Sequence, residues 1–150
     1  MSGSATNYGA ATTITVGSSG SVGLVQFDLT QLPAGVTAAQ IQKATLTLFL
    51  DHVGVGGTFN IDTVSASTPW TESTANGLSG ISPGVAVATA VPATTAFTYI
   101  TVDATAAVQS WLSGTTNNGF LLTGNSTTSV QFDSKENFNT SHPATLTIWL

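Results

Sequence analysis

The chain has 150 residues, of which 41% are hydrophobic and only 6% charged, and its net charge is -5. That length suits a single domain, 1–150, with a core of its own. Two lysines, no arginine and no cysteine exclude a nucleic-acid partner, which needs clustered cations, and leave no disulfide or thiolate metal site.

In chain order, Met1-Ser2-Gly3-Ser4 reads as a cloning leader, and 1–6 as added or flexible sequence. Residues 12–16 form a first strand with Ile14 and Val16 inward. A second spans 22–29, with Val25, Phe27 and Leu29 on one face and Gln26 and Asp28 on the other. Pro33 and Gly35 make a turn, and 36–42 is an irregular connection. The cleanest alternation is 44–50, where Ala44, Leu46, Leu48 and Leu50 point one way and Thr45 and Thr47 the other. A glycine-rich break at 54–57 precedes a strand carrying Phe59 and Ile61.

From 65 to 84 the alternation dissolves into a segment holding Pro69, Trp70, Glu72, Asn76 and Pro83. Loops of that length in compact domains tend to be functional or mobile. Residues 85–91 and 97–102 are strands separated by Pro92. Asp103 then caps a short helix whose apolar face is Val108, Trp111 and Leu112, and Gly114 ends it. Trp111 plugs one end of the sandwich. Strands follow at 120–123, 129–133 and 144–150. About nine short strands and one short α-helix predict an all-β antiparallel β-sandwich, a jelly roll. No apolar run reaches the ~18–20 residues that span a bilayer. Low charge with abundant Thr and Gly predicts an extracellular or cell-surface bacterial protein.

Several stretches resemble the DNRLRE-type domain, a jelly-roll family overlapping carbohydrate-binding module family 96. They are Asn7-Tyr8-Gly9, Val25-Gln26-Phe27-Asp28-Leu29, Lys43-Ala44-Thr45-Leu46-Thr47-Leu48 and Trp70-Thr71-Glu72. Further along come Val102-Asp103-Ala104-Thr105, Trp111-Leu112-Ser113-Gly114, Asn118-Gly119-Phe120, Phe132-Asp133-Ser134-Lys135-Glu136 and Pro143-Ala144-Thr145-Leu146. The resemblance implies a secreted or surface-attached module without catalysis, some of whose relatives bind polysaccharides such as alginate. The chain lacks the basic residue usual in the second strand, the tryptophan usual soon after the W-x-E loop, and an acidic residue near the start. Without that cation a carboxylate-rich glycan is disfavoured, and the expected partner is a neutral polysaccharide.

An enzyme reading lacks parts. Asp28, Asp62 and Asp133 occupy out-facing strand positions, Asp103 is a cap, and only Glu72 and Glu136 sit beside features that shape a pocket. His52 and His142 read as surface residues. A glycan site needs aromatic platforms and planar polar groups. The candidates are Trp70, Glu72, Tyr99, Asn117, Asn118, Asn139 and Trp149, with the long loop carrying Trp70 and Glu72 as the preferred face. No cofactor is expected beyond a structural calcium ion. Asp133, Glu136 and Asn137, with Asn139 nearby, would supply oxygens for it, against the plainer reading of a solvated turn. The resemblance also implies a buried Glu136 bonded to backbone, with Lys43 or Lys135 as its cation. Lys43, beside Phe27 and Asn60, is the position at which an isopeptide link would form.

The alternative is a structural role. A sandwich so poor in charge lacks the usual protection of its edges. Ile14 and Val16 could complete a neighbour's sheet by strand addition, as in a fibre, stalk or sheath subunit.

Overall fold

The computed structural model describes residues 5–77 and 79–150. Residues 1–4 of the expected leader lie outside the described residues. Among the described residues nine strands and one α-helix run in the order β1 (Thr13–Val16), β2 (Val22–Val25), β3 (Lys43–Val55), β4 (Gly57–Val64), β5 (Pro83–Ala93) and β6 (Thr98–Asp103). Then come α1 (Thr105–Leu112), β7 (Phe120–Gly124), β8 (Ser129–Asp133) and β9 (Thr145–Trp149).

One sheet has the order β1-β8-β3-β6, with β9 also on β3, and the other β2-β7-β4-β5. Every pairing is antiparallel. A five-strand and a four-strand layer in these orders are a jelly roll. β3 organises its sheet because it is long enough to serve three partners. Its first half pairs β6 and β9 on opposite sides, and its second half pairs β8. The alternation of Ala44, Leu46, Leu48 and Leu50 buries all four between the layers, where Phe59 of one sheet meets Phe132 of the other at 5.0 Å between ring centres.

The helix closes one end. Ala107, Val108 and Trp111 fall on its buried face, and the Trp111 ring, 7% exposed, meets Phe120 edge-on at 5.1 Å. Asp103 is the last residue of β6, one position before the helix N-cap Ala104. Its Oδ1 still accepts from the Thr105 N–H at 2.8 Å and the Thr105 hydroxyl at 2.5 Å. Gly114 takes φ 112° just past the helix, where its N–H donates to the Trp111 carbonyl.

Two sequence expectations about strand limits need correction. The second strand stops at Val25, because Asp28 folds back to accept from the Thr30 N–H and starts a 3₁₀ turn over Leu29–Gln31. The glycine-rich break expected at 54–57 is where β3 ends at Val55 and β4 begins at Gly57, β3 absorbing register shifts against β8 before it. Pro92 lies inside β5 rather than ending it. β1, which carries Ile14 and Val16, is hydrogen-bonded to β8 of its own chain, with Val16 fully buried.

Candidate functional site

β2 is the outermost strand of its sheet, and a cleft of ≈ 1120 Å³ runs along it, touched by every residue from 21 to 30. Its far wall is Ile14, the start of the link after β8, and Ala144 before β9; Trp111 and Leu112 reach it from the helix. The cleft exists because both sheets end here while their facing residues stay apolar. Ile14, Phe27, Leu29, Leu112 and Ala144 are only partly buried against the core.

The long loop after β4 lies at the mouth of this cleft and contributes Trp70, Glu72 and Ala75. One anchor is Trp70, whose Nε1–H donates to the Asn118 carbonyl at 2.7 Å. The other is Asn7, whose amide donates to the carbonyls of Glu72 and Ala75 at 2.8 and 2.6 Å. Gly9 is required beside it: a Cβ there would stand 2.4 Å from the Glu72 carbonyl oxygen. Asn117 is fixed from within, donating to the Phe27 carbonyl at 2.9 Å and accepting from the Gly119 N–H at 3.0 Å. Gln26 donates to the Asn117 carbonyl at 2.8 Å.

The electrostatics of the cleft are anionic. Lys135 is its single cation among the described lining residues, and its Nζ lies 3.0 Å from Glu72 and 3.2 Å from Glu136. Hydrogen bonding to Glu72, then to Glu136, raises the pKa of this lysine, so it stays charged but committed. Asp28 also lines the cleft, and the Thr30 hydroxyl and N–H hold its pKa down. An arriving polyanion therefore meets carboxylates and no uncommitted ammonium.

The model of carbohydrate-binding module family 96 matches residues 1–148. The chain belongs to that family. No curated protein matches it significantly.

Of the residues expected at a glycan site, the module brings Trp70, Glu72 and Asn117 together in the cleft. Asn118 is not on that surface: it is buried and donates to the Ser65 carbonyl at 2.9 Å. Tyr99 stands elsewhere, on β6, with its ring against Phe49 at 5.0 Å and His142 at 5.7 Å. Asn139 lies on the exposed link between β8 and β9. Trp149 ends β9, partly exposed, with the Lys43 ammonium 5.7 Å over its ring.

That placement of Lys43 removes the isopeptide reading, since the Asn60 side chain accepts instead from Asn125 Nδ2 at 3.0 Å and the Ala90 N–H at 2.9 Å. Asp133, expected in solvent, is fully buried. Thr140 Oγ1 donates to it at 2.5 Å and Asn137 Nδ2 at 3.0 Å, and His142 Nδ1 lies 3.4 Å away. His142 is accordingly no bare surface group; it stacks on Phe49 at 4.0 Å. Within the expected calcium set, Asn137 turns its amide nitrogen to Asp133 and spends its oxygen on the N–H groups of Asn139 and Thr140. Glu136 is half-buried and pairs with Lys135 rather than with backbone. Among the described residues, no three His, Asp or Glu groups converge on one point, and no helix is long and apolar enough to cross a membrane.

Sequence reasoning missed Tyr8, Gln26, Asp28 and Lys135 as cleft residues. All four belong to stretches that carried the family resemblance, which was the available signal. Lys135 lines the cleft and pairs there with Glu72.

Proposed function

We propose that this module binds a neutral polysaccharide, without catalysing its cleavage, as part of an extracellular or cell-surface protein. The observation that carries this reading is Trp70, held by its indole N–H at the mouth of a cleft whose lysine is already paired. A sugar ring offers C–H groups to an indole face and hydroxyls to amides and carboxylates. Gln26, Asn117 and Glu72 border the same space, and the backbone of the outermost strand adds a rail of donors and acceptors for an extended chain. Family membership supports a carbohydrate partner.

Affinity electrophoresis in neutral polysaccharide gels tests this, with alginate as the anionic comparison and Trp70→Ala as the site variant. The expected result is retardation in at least one neutral gel, lost in the variant, and free migration in alginate. No retardation in any neutral gel, or equal retardation of the variant, would overturn the reading.

A further inference from the structure

The two sheets end differently on the side away from the cleft. β5, the outer strand of one sheet, contains Pro83 and Pro92, shifts register three times against β4, and takes positive φ at Ala90. Prolines and bulges are the ordinary means of blunting a sheet edge. β6, the outer strand of the other, has none of these within its length: Thr98–Asp103 pairs with β3 in one unbroken register, without proline or lysine, and the positive φ of Phe97 falls just before it. Two of the largest exposed aromatic groups stand at this edge, Tyr99 at 60% and Phe97 at 71%.

The phase of the ladder fixes which backbone groups face outward. The Ala104 N–H donates to the Ala44 carbonyl, so by antiparallel alternation Val102 and Ile100 also bond inward to β3. The N–H and C=O of Tyr99, Thr101 and Asp103 therefore point away from the sheet.

We propose that β6 pairs antiparallel with β6 of a second copy of this chain, about a two-fold axis through Thr101. Residues directly opposite in an antiparallel pair share a face, so the axis must pass through a residue rather than between two. With Thr101 opposite itself, Tyr99 meets Asp103 of the second copy, and Ile100 meets Val102 on the core side. All three outward-facing residues are then hydrogen-bonded, no like charges stand opposite, and the core faces of the two sheets run on continuously. A self-complementary edge of this kind gives a closed dimer. A second copy is the occupant the edge fits, because its alternation and its one terminal carboxylate match themselves. The cleft lies along the opposite side of the sandwich and takes no part.

The chain has no cysteine, which makes cross-linking clean. Directly opposite, hydrogen-bonded residues lie ~5.5 Å apart between Cα atoms, within the span a disulfide bridges. Oxidised Thr101→Cys is expected to run as a covalent dimer on a non-reducing gel, while Val85→Cys on β5 stays monomeric. In sedimentation the unaltered chain is expected as a dimer that Thr101→Lys converts to monomer, with an unchanged melting midpoint to show that the variant folds. A chain that stays monomeric at every concentration would overturn the proposal. So would a dimer that survives Thr101→Lys, which would place the contact on another surface. Glycan retention of Thr101→Lys is expected to match that of the unaltered chain, so failure here is separable from failure of the cleft reading.

Discussion

Trp70 and Asn118 are locked through two different groups: the indole N–H donates to the Asn118 main-chain carbonyl, and the Asn118 side-chain amide donates onward to the Ser65 carbonyl. Loop and turn thus hold each other, and the two bonds can be cut separately. Trp70→Phe keeps an aromatic face but loses the donor. It is expected to weaken glycan retention less than Trp70→Ala while loosening the loop, which hydrogen exchange over 65–77 would register. Equal retention by Trp70→Ala and Trp70→Phe would remove the ring from the binding argument.

Asn118→Ala leaves the Trp70 bond in place, because that bond uses main chain, but removes one of the three bonds to the Ser65 carbonyl, which still accepts from the Thr68 N–H and hydroxyl. Losing one such bond costs about 0.5–1.5 kcal/mol. Urea unfolding is expected to show a loss in that range with an unchanged slope.

Gly23 sets how closely β1 can lie over β2. A Cβ there would stand 2.5 Å from Ile14 Cγ2 and 3.2 Å from Val16 Cγ2. Gly23→Ala is therefore expected to destabilise by about 1–3 kcal/mol through overpacking. Ile14→Ala removes the nearer methyl, so the double variant is expected to fall short of the sum of the two single losses. A strictly additive pair, measured by urea unfolding, would mean that the two residues do not touch.

Where side-chain alternation was uninterrupted, as over Ala44–Leu50 and Thr145–Trp149, the strands were legible before any coordinates. The ends of β3 and β5 were not, because bulges between Leu50 and His52 and along β5 break the period of two. Asp133 shows a different limit. Alternation places it opposite Phe132 and so outward, yet the link that follows β8 folds back and covers it, and no local pattern encodes that cover. The candidate site was legible in part for the same reason. Trp70 and Glu72 are close in sequence and stay together, whereas joining Asn117 to them, and separating Tyr99 and Trp149 from them, depends on which sheet each strand enters.

The cover over Asp133 is itself testable. Thr140 and Asn137 donate to this one carboxylate and His142 Nδ1 faces it, so Asp133→Ala leaves the Thr140 hydroxyl and the Asn137 amide without this partner at once. The expected cost is about 3 kcal/mol or more, with faster hydrogen exchange confined first to 134–144. His142→Ala removes only one contact and the stacking on Phe49, and is expected to cost less. A larger loss for His142→Ala than for Asp133→Ala would show that the stacked ring, rather than the carboxylate, holds the link down.

Acid sensitivity is expected from Asp103. Its pKa lies below the ordinary 3.8, first through the Thr105 hydroxyl, then through the Thr105 N–H, against a small opposing effect of burial. A carboxylate whose folded pKa is depressed binds fewer protons in the folded than in the unfolded state. Its stabilisation is therefore complete above the unfolded value and is lost as pH falls through the folded one. Asp62 has the opposite sign. Burial raises its pKa, so it favours folding more at low pH, and that advantage disappears as pH rises through the raised value. Stability measured by urea between pH 7 and pH 2.5 should accordingly fall less steeply for Asp103→Ala than for the unaltered chain, the two curves converging at the acid end. Asp62→Asn should gain most at neutral pH and little in acid. Parallel curves for Asp103→Ala and the unaltered chain would mean that the Thr105 bonds do not distinguish the folded carboxylate from the unfolded one.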